Sequence, residues 1–140
     1  MIADRAFFDT NVLLYMYSTA NRERQVRAQD LYGEYASDNR AFLSTQVVQE
    51  FFVAGLRKLK LPAREVRTLA LAFLQVPLVI VDANHIRAAI KNEKQYRISF
   101  WDALIVAAAE SAGAEVLYTE DLNDGQRYGT VAVCNPFRPN

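Results

Sequence analysis

Four acidic residues stand where they could do chemistry: Asp9, Glu50, Asp102 and Asp121. Ser99-Phe100-Trp101-Asp102 opens a run that stays apolar to Ala109, and over residues 100–112 only Asp102, Glu110 and Ser111 are polar. A carboxylate in so apolar a helix is costly to bury unless it is paired or holds a metal. At about 100° per residue, Asp102 lies among Ile105, Val106 and Ala109 and points at apolar neighbours. The same four residues match a capping box, with Ser99 as the cap and Asp102 at the third helical position. A cap and a ligand are compatible roles.

Asp9 directly follows Ala6-Phe7-Phe8, an apolar strand end, and precedes a short helix, so an N-cap is its competing role. Asp121 ends a similar stretch, Val116-Leu117-Tyr118-Thr119-Glu120. Asp121-Leu122-Asn123-Asp124-Gly125 is also a fair turn sequence, and Glu120 and Asp124 compete for any role given to Asp121. Glu50 lies outside the apolar arc of its helix (Val47, Val48, Phe51, Phe52, Leu56, Leu59), on the side of Val47 and Ala54. That side suits a cleft and suits solvent equally.

Taken together, the carboxylates would repel one another without a cation. Mg²⁺ or Mn²⁺ takes hard oxygen ligands and keeps several waters. Such a site can activate water and stabilise the leaving oxygen of a phosphodiester, which makes a nuclease the leading reading. Zinc is disfavoured, because His85 and Cys134 are the chain's one histidine and one cysteine. His85 reads as structural or solvated, and Cys134 as a small strand residue. No second histidine exists for a serine or cysteine triad beside a nucleophile elbow, and there is no Gly-rich phosphate loop.

The elements that must position these residues alternate. Strands are expected at Phe7-Phe8, at Ala41-Phe42-Leu43, as a short or edge strand within Val76 to Val81, at Val116-Leu117-Tyr118 and at Thr130 to Val133. Helices are expected over Val12 to Tyr17, over Arg22 to Ala36 on Val26, Leu31 and Tyr35, and from a Ser44 or Thr45 cap to about Leu59. Three more follow: from Pro62 to about Leu74, from an Asp82 cap to about Tyr96, and from a Ser99 cap to Gly113. This pattern implies a mainly parallel sheet with helices on both faces, and a ligand site beyond the carboxyl ends of the strands.

With 140 residues, 51% of them hydrophobic, the chain is expected to form a single domain, residues 1–140, with a core that needs no disulfide. A lone cysteine argues for a reducing compartment. Met1-Ile2-Ala3-Asp4-Arg5 is not a secretion signal, and no apolar run reaches the roughly 18 residues of a membrane span, so a cytoplasmic protein is expected. The net charge is zero but unevenly spread. Residues 55–97 carry nine basic and three acidic groups, whereas residues 98–140 carry two basic and six acidic ones. Arg57, Lys58, Lys60, Arg64 and Arg67 are either a polyanion track beside the acids or solvated helix faces.

At these residues the chain resembles the PIN-domain family, and within it the VapC-type toxins of toxin–antitoxin pairs. The matching pieces run in order: Phe8-Asp9-Thr10-Asn11-Val12-Leu13-Leu14-Tyr15, Glu50 within Thr45 to Phe52, Ser99-Phe100-Trp101-Asp102-Ala103-Leu104-Ile105, Leu117-Tyr118-Thr119-Glu120-Asp121-Leu122 and Cys134-Asn135-Pro136-Phe137. Asp9 comes several residues later than in the shortest members. The resemblance implies a PIN-like three-layer α/β/α sandwich. It implies an acidic quartet of Asp9, Glu50, Asp102 and Asp121, with Asp9 and Asp102 holding the metal and Thr10, Asn11 and Thr119 supporting the carboxylates. It further implies a Mg²⁺- or Mn²⁺-dependent endoribonuclease acting on RNA, often a homodimer, inhibited by a cognate antitoxin. Leu69, Leu71, Phe73 and Leu74 are candidates for a dimer surface or equally for core. Two other classes compete. An aspartyl-phosphate phosphohydrolase would want Asp-x-Asp, where this chain has Asp9-Thr10-Asn11. A non-catalytic PIN-like module would bind RNA or a partner without needing four acids.

Overall fold

A computed structural model describes residues 3–138. Met1 and Ile2, part of the segment read as lacking a secretion signal, lie outside the described residues. The strands are β1 (Ala6–Phe8), β2 (Ala41–Ser44), β3 (Leu78–Val79), β4 (Val116–Tyr118), β5 (Arg127–Tyr128) and β6 (Val131–Cys134). The helices are α1 (Thr10–Tyr17), α2 (Arg22–Ala36), α3 (Thr45–Lys58), α4 (Ala63–Phe73), α5 (Ala83–Tyr96) and α6 (Phe100–Ser111). The strand order is β3-β2-β1-β4-β6-β5, parallel throughout except for β5, which runs antiparallel to β6 at the edge. This is the expected three-layer α/β/α sandwich.

β1 is buried at all three residues, as a central parallel strand covered on both faces must be. Phe8 sits among Tyr32, Tyr35 and Tyr118 at ring separations of 5.1, 5.8 and 5.3 Å. This aromatic cluster locks α2 against the sheet. On α6, Ala103 to Ala109 are all buried, so that helix is nearly submerged. Its end is set by Gly113, whose φ of +70° is a left-handed turn that suits glycine.

Several expectations need correcting. The β5 strand was not foreseen. Val26 and Leu56, read as core-facing, are 38% and 42% exposed; α2 turns Ala28, Leu31, Tyr32 and Tyr35 inward instead. Of the four residues weighed between dimer surface and core, Phe73 is core, Leu69 packs partly against it, and Leu71 and Leu74 are exposed. No helix among the described residues is long and apolar enough to cross a membrane.

Candidate active site

The strand order reverses between β1 and β4, and this is where a parallel sheet opens a crevice at its carboxyl edge. Asp9 follows β1 and Thr119 to Asp121 follow β4. The chain thus delivers two carboxylates to one spot from segments 110 residues apart. Asp9 is buried and caps α1: its Oδ1 accepts from the Thr10 N–H at 2.7 Å, and its Oδ2 accepts from Thr119 Oγ1 at 2.7 Å. No cation of the protein pairs with it among the described residues. Burial pushes its pKa from 3.8 up to about 7, against the pull of the Thr119 and Thr10 hydrogen bonds, with the Asp121 and Glu50 charges adding to the rise.

Thr119 ties the two strand ends together. Its hydroxyl donates to Asp9 and accepts from the Asp121 N–H at 3.1 Å. Asp121 in turn accepts from Asn11 Nδ2 at 3.2 Å. Glu50 accepts from Thr10 Oγ1 at 2.8 Å, which answers the ambiguity of its helix face: it looks into the cleft. Asp102 is half-buried at the start of α6. Ser99 Oγ accepts from its N–H at 3.0 Å, but the return bond that would complete a capping box is not formed. Asp102 lines the cleft, with the Ser99 hydroxyl beside its carboxyl. Burial raises the pKa of both Asp102 and Asp121; the Ser99 hydroxyl opposes the first while Glu50 adds to it, and Asp102 and Glu120 add to the second while an Asp9 hydrogen bond and Lys58 oppose it.

All four acids line one open cleft of about 450 Å³, together with Thr10, Asn11, Gln46, Arg57, Lys58 and Trp101. Among the described residues, no three His, Cys, Asp or Glu side chains already converge as a metal-binding group. The donors facing the cleft are nonetheless hard oxygens, the kind that a hydrated Mg²⁺ takes from one or two carboxylates while keeping its waters. Gln46 adds an unmet acceptor: its Nε2 donates to the Trp101 carbonyl at 3.2 Å, while its Oε1 is buried without a partner.

The competing residues have other partners. Glu120 accepts from Arg24 at 2.7 Å and from the Tyr15 hydroxyl at 2.9 Å. Asp124 accepts from the Asn135 N–H at 2.8 Å. His85 closes a capping box with Asp82, and its other ring nitrogen meets Ser111 Oγ at 2.9 Å. Cys134 is half-buried in β6, and burial raises its thiol pKa, which disfavours a nucleophilic thiolate.

The sequence profile of the PIN domain matches residues 6–127, which holds every element from β1 to the start of β5. The chain belongs to the PIN-domain family. Three solved structures share the PIN fold. VapC20 of Mycobacterium tuberculosis, described as a toxin that cleaves the sarcin–ricin loop, is 21% identical with a TM-score of 0.68, over 83% of this chain and 89% of that one. A toxin–antitoxin complex from Klebsiella pneumoniae is 18% identical with a TM-score of 0.72, over 96% and 99%. VapBC2 from Rickettsia felis, bound to a DNA fragment from its promoter, is 15% identical with a TM-score of 0.67, over 91% and 96%. A comparison with curated protein sequences gives no match.

Within this PIN fold, the sequence reading missed Gln46, Gln49 and Trp101 as cleft residues. The signal was there for two of them. Residues 46, 49, 50, 53, 54, 57 and 58 fall at spacings of three and four along α3, and all line the cleft. Of the basic residues of the middle segment, Arg57 and Lys58 reach the cleft, whereas Arg67 lines a separate apolar groove between α3 and α4.

Proposed function

We propose that this PIN domain, spanning residues 1–140, is a Mg²⁺-dependent endoribonuclease, with Mn²⁺ as a substitute, that hydrolyses RNA phosphodiester bonds. The observation that carries this reading is Asp9: a buried carboxyl without a cationic partner among the described residues, held by two hydrogen bonds at the sheet's switch point beside three further acids. Such an arrangement is unfavourable for folding alone and is offset when a cation is taken up. A bound divalent cation supplies charge stabilisation for a phosphoryl group under attack and acidifies water.

The chain's own residues divide the remaining work. Asp9 and Asp102 would hold the cation. Glu50, oriented by Thr10, and Asp121, oriented by Asn11, would complete the acidic pocket and orient water. Thr119 fixes Asp9 and the Asp121 backbone at once. Arg57 and Lys58 would take the RNA phosphates, so binding should weaken with salt.

The PIN neighbours also support a biological setting. Two are toxin–antitoxin assemblies, and VapC20 is a toxin that cleaves the sarcin–ricin loop. The present chain would then be the toxin of such a pair, in the cytoplasm, with a cognate antitoxin and a second copy of itself as partners. The test is cleavage of labelled structured RNAs by wild type and Asp9→Asn in Mg²⁺, Mn²⁺ or EDTA. Cleavage that needs both the metal and Asp9 is expected. No cleavage by folded wild-type protein on any RNA, with no metal uptake, would overturn the reading in favour of a binding module.

A further inference from the structure

Trp101 is the one tryptophan of the chain, and it is kept out of the core. It is 62% exposed, although Ala103 to Ala109, which begin two residues later on the same helix, are all buried. Tryptophan is the largest apolar side chain, and leaving it in water forgoes burial that α6 achieves elsewhere. Trp101 lines the carboxylate cleft, one residue before Asp102.

Its backbone and its ring each have one neighbour. Gln46 Nε2 holds the Trp101 carbonyl at 3.2 Å, and Phe100 supports the ring edge-on with centroids 5.2 Å apart. The cleft therefore has an aromatic surface on α6, acids on its floor, and two cations, Arg57 and Lys58, on α3. Cations suit phosphate oxygens, and an exposed aromatic ring suits the face of a base.

We infer that Trp101 is a stacking platform for an unpaired nucleobase next to the phosphate in the cleft. The inference rests on the endoribonuclease reading for the identity of the polymer. In an A-form duplex both faces of each base are already stacked, so a paired base has no free face to present. A single strand or a loop does. With a divalent cation offsetting the four acids, Arg57 and Lys58 favour a phosphate chain as the occupant, whereas an apolar protein segment covering Trp101 would leave both of them unpaired.

A sole tryptophan reports this contact without a label. The Asp9→Asn protein in Mg²⁺, and wild type in EDTA as a check that does not rely on that variant, are titrated with an unstructured ten-nucleotide RNA, with its blunt duplex and with inorganic polyphosphate. Saturable quenching of Trp101 emission by the single strand is expected, with the duplex and polyphosphate quenching weakly. Trp101→Ala should weaken single-strand binding, read by anisotropy of labelled RNA, about 5- to 100-fold, with Trp101→Phe recovering most of it. In cleavage assays Trp101→Ala should raise KM more than it lowers kcat. Equal quenching by duplex or polyphosphate, Trp101→Ala binding within about twofold of wild type, or emission that shifts with protein concentration alone would overturn the inference. The last result would mean that a second copy covers the ring. Cleavage by wild type with no Trp101 effect would reject the platform and leave the nuclease standing. Base-dependent quenching without cleavage would do the reverse.

Discussion

Glu120 and Asp121 are neighbours in the chain and opposites in their surroundings. Glu120 turns to α1 and α2, where Arg24 and Tyr15 hold its carboxylate and the Arg24 guanidinium lies 5.1 Å from the rings of both Tyr15 and Phe137. The Glu120 charge thus has its partner within the fold. Asp121 turns to the cleft, where it meets one amide, the Lys58 charge and more acid, with no ion pair among the described residues. One side of this turn is finished as structure; the other is left with excess negative charge that only something from outside can balance. The difference separates carboxylates that stabilise the fold from carboxylates that the fold tolerates for function.

The strongest way to break the contrast is at Asp9. Asp9→Asn should lower RNA cleavage on the order of 10³-fold, the scale of a lost electrostatic contact to a transition state. The metal-free variant should be at least as stable as wild type at pH 8, because asparagine is an equally good helix cap and carries no buried charge. Chemical denaturation checks the second half. Asp121→Asn should cost about 10- to 100-fold in cleavage and leave stability level or slightly raised, since it relieves repulsion.

The pH dependence follows from the same imbalance. A carboxyl whose pKa rises on folding binds its proton more tightly in the native state. For Asp9 this favours folding fully below pH 3.8, and the contribution disappears as pH climbs to about 7. The span corresponds to at most about 4 kcal/mol. Asp102 and Asp121 act in the same direction. The stability difference between metal-free wild type and Asp9→Asn, measured by urea unfolding, should therefore shift against wild type across this window. Saturating Mg²⁺ should reverse the shift.

Thr119→Val keeps shape and removes a donor and an acceptor that are both in use. It should destabilise by about 1–3 kcal/mol and weaken cleavage, with Thr119→Ser recovering most of both. The smallest effect belongs to the structural side of the turn. Glu120→Gln should cost less than about 1 kcal/mol, because its ion pair with Arg24 is partly exposed, and should leave cleavage within a few fold of wild type. Loss of cleavage as large as that of Asp121→Asn would erase the distinction between the two residues.

Much of this was legible in the chain. Arg22–Ala36, Ala83–Tyr96 and Val116–Tyr118 were read at their observed limits, because a cap or an apolar run marks each one. Asp9, Asp102 and Asp121 stood out because each interrupts or ends an apolar segment. Glu50 did not, since its role depends on Thr10, a contact that spans 40 residues and leaves no periodic trace. β5 escaped notice because two residues, Arg127 exposed and Tyr128 buried, are too few to display an alternation. Its one cue was Gly129, whose φ of +61° makes the tight turn into β6. Trp101 was hidden for the opposite reason. Next to so apolar a helix it looks like core, and only the packed structure reveals that its ring is left outside.

The most direct test is a calorimetric titration of Mn²⁺ at pH 7, run in buffers of different ionisation heat, on wild type, Asp9→Asn and Glu120→Gln. Saturable uptake by wild type with proton release is expected, since a cation must displace a proton from a carboxyl that burial raises to a pKa of about 7. Glu120→Gln should retain this behaviour and Asp9→Asn should lose it. Uptake that survives Asp9→Asn, or that vanishes with Glu120→Gln, would contradict the division between the two sides of the turn.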